Sequence, residues 1–171
     1  QVVRQQLERS RASMDFDEPE DLKQAKGSIK VLVVDDDDSM LDYLSDSLRH
    51  NYKIITARNG KEGLKLAVSQ IPDLIITDVV MPEMDGIQLV KALKGNSLVS
   101  HIPVIMLSGK NKLQDRLLGI ETGADSYLPK PFYLSELKLV MSNLIKNRLI
   151  VKGKFSGQLE QTEKVEAVQF E

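Results

Sequence analysis

The 171-residue chain has no cysteine, no tryptophan and only two histidines, with four tyrosines and four phenylalanines as its other aromatics. Without cysteine there is no disulfide framework, thiol nucleophile or zinc–thiolate site, and a reducing cytoplasm is the expected setting. His50 and His101 stand alone and read as surface residues rather than metal ligands. No apolar run approaches the ~20 residues that cross a bilayer, and no secretory signal is visible, although a chain starting at Gln1 reads as a fragment of something larger. Charge of one sign is also missing: 23 basic residues face 25 acidic ones, so no global field favours nucleic acid or a membrane. Neither contact is expected of this stretch. Its length suits one domain with flexible ends.

What is present is a strict alternation of apolar patterns. Residues 1–28 carry scattered charge and read as a tail or linker, with a frayed helix before Pro19. Ile29 to Val34 is a buried strand closing on Asp35-Asp36-Asp37-Asp38. Met40, Leu41, Leu44 and Leu48 then recur at helical spacing, with Asp38 or Ser39 as the cap. Tyr52 to Ala57 is a strand and Gly60 to Gln70 a helix. Leu74-Ile75-Ile76 is a short uninterrupted apolar run, typical of a strand covered on both faces, and it delivers Asp78. Pro82 and Asp85-Gly86 are turn chemistry. A helix through Ile87, Leu89, Val90 and Leu93 follows, then a strand from Pro103 to Leu107 reaching Ser108-Gly109. Leu113, Leu117 and Ile120 mark a short helix stopped by Gly123, Ser126 to Leu128 a short strand ending at Lys130-Pro131, and Leu134 to Ile145 a last helix. Five strand–helix units with short connections predict an α/β fold, a parallel sheet with helices on both faces over 29–147. Residues 148–171 turn polar again, read as an exit linker, and contain no helix-turn-helix pattern.

In a parallel sheet the carboxyl ends of all strands share one edge, where open α/β sheets bind ligands. Asp35 and Asp36, Asp78, Ser108 and Lys130 all fall there. Taken singly, each has an ordinary explanation: an acidic run caps a helix, as Asp37 and Asp38 are expected to do, and a serine or lysine ends a strand. Together they form a pocket. Two unit charges ~4 Å apart repel by roughly 1 kcal/mol in water and about 4 kcal/mol at an effective dielectric of 20. Converging carboxylates therefore hold protons or share a cation. Oxygen-only ligands select a hard divalent ion, and Mg²⁺ suits a site that also takes water and phosphate. A lysine and a hydroxyl opposite the metal are donors for phosphoryl oxygens, which makes Asp78 a candidate carboxylate nucleophile.

These residues resemble the receiver domain of two-component response regulators. The matching motifs are Val31-Leu-Val-Val-Asp35-Asp36, Asp73-Leu-Ile-Ile-Thr-Asp78 with Met81-Pro82-Glu-Met-Asp85-Gly86, Val104-Ile-Met-Leu-Ser108-Gly109, and Gly123-Ala-Asp-Ser-Tyr127-Leu-Pro-Lys130-Pro131-Phe132. The resemblance implies a flavodoxin-like doubly wound (βα)5 sandwich of strand order 2-1-3-4-5. It implies that Asp78 accepts phosphate from a phosphohistidine on a partner histidine kinase. Asp36, Asp78 and the main-chain carbonyl of Val80 would bind Mg²⁺ directly and Asp35 through water. Lys130 would contact the phosphate ahead of a cis bond to Pro131. Ser108 and Tyr127 would act as the switch pair that moves the face of helix four, strand five and helix five. Such a domain catalyses its own phosphorylation and dephosphorylation without being a turnover enzyme.

Gly109 departs from the alanine preferred in the family, which loosens the loop behind Ser108. Val80 and Lys110 flank the site and suggest slow self-dephosphorylation. The tails resemble the linkers of one-chain hybrid regulators, where a receiver lies between a sensor kinase and an AraC-type DNA-binding output domain. The apolar stripe of the last helix would permit a homodimer. Three alternatives remain: a haloacid-dehalogenase-like phosphatase, in which Asp35-x-Asp37 would be the nucleophile motif; a non-phosphorylated pseudo-receiver serving only as a docking module; and a flavin-binding flavodoxin relative, disfavoured because acids rather than a Ser/Thr-rich loop follow the first strand.

Overall fold

The computed structural model describes residues 26–109 and 113–150, with side chains over 27–109 and 116–150. The expected frayed helix before Pro19 and the chain beyond 150 lie outside them. Among the described residues, after a single 3-10 turn, Lys26–Ser28, five strands alternate with five helices. The strands are β1 Lys30–Val34, β2 Lys53–Ala57, β3 Leu74–Asp78, β4 Val104–Ser108 and β5 Ser126–Pro129. The helices are α1 Asp38–Leu48, α2 Gly60–Gln70, α3 Gly86–Lys94, α4 Leu113–Glu121 and α5 over 134–150. All neighbours pair in parallel, in the order β2-β1-β3-β4-β5, the arrangement implied by the resemblance. No helix among the described residues is long and apolar enough to cross a membrane.

Strand side chains alternate faces, so each apolar run splits between two cores. Val31, Val33, Leu74, Ile76, Ile105, Leu107 and Leu128 pack against Leu41, Leu44 and Leu48 of α1 and Leu137, Met141 and Ile145 of α5. Their sequence neighbours Leu32, Val34, Ile75, Val104, Met106 and Tyr127 face the other way, onto Ala67 of α2 and Leu89, Val90 and Leu93 of α3. Strands buried on both sides explain why β1, β3 and β4 read as unbroken apolar segments rather than alternating ones. The burial of Leu32, Ile75, Ile105 and Leu107, each no more than 1% exposed, fixes the register.

Two local expectations shift. The cap of α1 is Asp37, whose side chain accepts from the Ser39 N–H at 2.9 Å; of the two acids expected to cap, Asp37 does so and Asp38 is the first residue of the helix, while Ser39 supplies the donor. Helix α4 forms as expected, but two of the apolar residues that announced it are not buried. Leu117 and Ile120 are about half exposed, and the helix lies on the sheet through Gly119, beside Met106 and the Tyr127 ring.

Candidate functional site

Register brings the site together. Val34 pairs with Thr77, so Asp35 and Asp78 lie side by side just beyond that ladder. Asp78 pairs with Leu107, placing Ser108 one residue further, and Ser108 pairs with Pro129, placing Lys130 one residue beyond that. The Lys130 N–H donates to the Ser108 carbonyl at 2.6 Å, which closes this edge. The crevice lies at β1 and β3, where the strand order reverses, the position at which open parallel sheets hold ligands.

One carboxylate oxygen from each of Asp35, Asp36 and Asp78 lies within 4.8 Å of the others. Lys130 Nζ sits 3.3 Å from Asp35 Oδ2 and 3.4 Å from Asp78 Oδ1. Asp35 is 1% exposed and accepts the Asp37 N–H through Oδ1 at 2.9 Å. Asp78 Oδ1 also accepts the Val79 N–H at 2.9 Å. The peptide bond Lys130–Pro131 is cis. Ser108 is buried, and Tyr127 is packed inward in the second core. His50 and His101 are both exposed, as expected.

Burial pushes the Asp35 carboxyl above the usual carboxylate range; the Asp37 N–H and Lys130 pull it back, while Asp78 adds repulsion. Burial also raises Asp78, against the pull of Lys130 and the Val79 N–H and with added repulsion from Asp36. One lysine thus fails to balance three acids. A hard cation would complete the balance, and the donor set fits one: carboxylate oxygens only, with no sulfur or imidazole in the cluster. The Val79 and Asp37 N–H donors were not foreseen, because backbone donors leave no residue-type signal.

The Val80 side chain is exposed. Lys110, expected to act with it, lies outside the described residues. Gly109 is exposed, and a Cβ there would meet nothing within 4 Å. Asp37, the second acid of the phosphatase alternative's motif, is exposed and accepts the Ser39 N–H through Oδ1 as the cap of α1.

A five-stranded parallel sheet of this order, with an acid cluster and a lysine at its carboxyl edge, defines a receiver-like α/β module. The model of the response regulator receiver domain matches residues 31–142, and the chain belongs to that family, the receiver domains of two-component signalling. It is 41% identical over 144 residues to Histidine kinase P4 of Formosa agariphila, a match covering 84% of this chain and 10% of that protein. It is 45% identical over 104 residues to the alkaline phosphatase synthesis transcriptional regulatory protein PhoP of Bacillus subtilis, covering 60% of this chain and 42% of that one. The structure of the chemotaxis response regulator CheY4 of Vibrio cholerae superposes with a TM-score of 0.64 at 34% identity, over 68% of this chain and 98% of that chain. The chain therefore spans only a tenth to two-fifths of the two curated relatives.

Proposed function

We propose that the chain is a working phosphoacceptor, taking a phosphoryl group on Asp78 from a phosphohistidine of a histidine kinase. The observation that carries this reading is the meeting of Asp35, Asp36 and Asp78 within 4.8 Å, with Lys130 reaching two of them. A carboxylate oxygen of Asp78 attacks phosphorus in line; the new O–P bond forms as the P–N bond to the imidazole breaks, and the leaving imidazole keeps the electron pair. Asp36, Asp78 and the Val80 carbonyl would hold Mg²⁺ directly and Asp35 through water. The ion would neutralise charge on the phosphoryl oxygens and lower the repulsion met by the attacking carboxylate. Lys130 supplies a fixed positive charge on the opposite side, and the Val79 N–H helps hold Asp78 in place.

Ser108 then turns its hydroxyl toward the phosphate and Tyr127 moves behind it, biasing the face of α4, β5 and α5. The phosphate brings roughly −1.5 to −2 charge, enough to shift such a two-state element. The exposed Val80 side chain beside the site favours slow hydrolysis of the acyl phosphate, and a phosphoryl lifetime of only seconds would refute that part. The pseudo-receiver alternative is weakened by the intact acids and Lys130.

The larger protein is read as a cytoplasmic hybrid regulator with receiver unit 29–147 and linkers 1–28 and 148–171, an AraC-type output and a homodimeric assembly. The match to Histidine kinase P4 supports the hybrid part, since its 144 residues exceed the span 31–142 of the family model. The deciding experiment is incubation with acetyl phosphate and Mg²⁺. The natural chain should gain one phosphoryl mass on Asp78, and Asp78→Asn should gain none. An unmodified natural chain would overturn the reading.

A further inference from the structure

The loop from β3 to α3 carries Val80 and is held by few bonds of its own. The Gly86 N–H donates to the Val79 carbonyl at 2.8 Å, and the Met84 N–H to the Pro82 carbonyl at 2.8 Å. The second bond spans three residues around Glu83, whose φ is +64°. A turn of this kind with a non-glycine residue at positive φ is strained and persists only where its surroundings over-determine it. One restraint comes from outside the pocket: the Gly60 N–H, in the first turn of α2, donates to the Met84 carbonyl at 3.1 Å.

That contact has no room for a side chain. A Cβ on Gly60 would lie 2.5 Å from the Met84 carbonyl oxygen and 2.8 Å from Met84 Cγ. The helix side is the stiffer partner. Asn59 caps it by accepting the Glu62 N–H at 2.8 Å, Glu62 accepts the Arg58 N–H at 3.0 Å, and Gly63 sits directly against Val34 of β1. Any side chain on Gly60 would therefore displace the loop rather than the helix.

We infer that Gly60 is a positioning residue for the metal site. Its N–H and bare Cα clamp the Met84 carbonyl and thereby set the loop that would present the Val80 carbonyl to the cation. This rests on the reading of the acid cluster as a Mg²⁺ site. Gly60 touches neither the acids nor the phosphoryl group, so its effect belongs to cation affinity and loop order rather than to the acceptor's chemistry.

Magnesium titrations of the full chain, followed by calorimetry and by amide hydrogen exchange, test it. Gly60→Ala should weaken Mg²⁺ binding on the order of tenfold, as loss of an outer-shell support does. Ile145→Val, which loosens the core under α5 far from the loop, should leave it unchanged. The reciprocal effect needs no mutation. In the natural chain Mg²⁺ should slow exchange of the Gly60 amide but not of the Gly63 amide, which bonds to the Asn59 carbonyl in the same helical turn. If Gly60→Ala fails to fold, the exchange pair alone decides. No Mg²⁺ binding by the natural chain overturns the metal site itself. Binding by the natural chain with an indifferent Gly60 amide, or with equal affinity in Gly60→Ala, overturns the clamp alone.

Discussion

A carboxylate that attacks phosphorus must be ionised, yet burial raises the Asp78 carboxyl above its ordinary range, and two further acids share the crevice with one lysine. In the proposed phosphoacceptor role, function is therefore set against stability at this residue. In magnesium-free buffer Asp78→Asn removes one buried charge and leaves Lys130 its contact with Asp35 at 3.3 Å, so no orphaned cation results. The substitution should raise stability by about 1 kcal/mol, a gain of roughly 3–5 °C in Tm for a domain of this size, while abolishing phosphorylation. Calorimetry checks the first, and an unchanged or lower Tm would contradict the charge argument. Gly109 is simpler. Its φ lies outside the left-handed region and a Cβ there meets nothing, so Gly109→Ala should stabilise by about 0.4–1 kcal/mol through the unfolded chain. A fall in the denaturation midpoint would mean that the loop needs conformations only glycine reaches.

At the scale of elements, what sequence can tell depends on how far the deciding contact reaches. The alternation of β1 to α5 was legible because burial on one or two faces writes a period into the residues themselves. The acid pocket was legible because Asp35, Asp78, Ser108 and Lys130 each stand at a strand end, and parallel order gathers strand ends. The cap of α1 was narrowed in sequence only to Asp37, Asp38 or Ser39, because all three are good caps, and the turn at Asp35 chooses among them. The close approach of α4 to the sheet at Gly119 was not legible, since glycine leaves no apolar mark. Nor was the helical state of 148–150, which were read as the start of a linker. These residues are still helical, and Arg148 reaches back to the amino-terminal edge of the sheet. There it donates to the Asp73 carbonyl at 2.7 Å and the Pro72 carbonyl at 3.3 Å, with Asp73 Oδ1 at 3.8 Å. The gain is partly offset, because the buried Nε has no partner and burial lowers the guanidinium pKa. Arg148→Ala should thus cost about 1–2 kcal/mol, less than a fully satisfied charged pair, and speed amide exchange in α5 around Arg148. Unchanged exchange there would show that the latch does not hold the helix.

Across the whole molecule the two raised carboxyls make stability depend on pH with a definite sign. Asp35 and Asp78 both take up protons more readily in the fold than in the unfolded chain, whose reference value is 3.8. Where the native state binds more protons, stability falls as pH rises. Above their raised folded values both groups are charged in either state, and the fold carries the full burden of their burial and repulsion. As pH drops through their raised folded values toward 3.8 that burden is lifted, and below 3.8 the two groups add no further change. In magnesium-free buffer the natural chain should therefore gain more Tm than Asp78→Asn as pH falls from neutral toward 3.8, since the variant retains only the Asp35 contribution. His50 and His101, both exposed, are common to the two proteins and cancel in that difference. If the acids share Mg²⁺ as proposed, the ion should reverse the sign, because a cation binds the ionised carboxylates and competes with their protons. At a concentration one hundred times its dissociation constant the ion adds about 2.7 kcal/mol at neutral pH, and the addition shrinks as acid displaces it. Thermal scans of both proteins, with and without Mg²⁺, give four pH profiles. Parallel profiles in all four would mean that the three acids do not act together, and the ion-sharing pocket would lose its energetic basis.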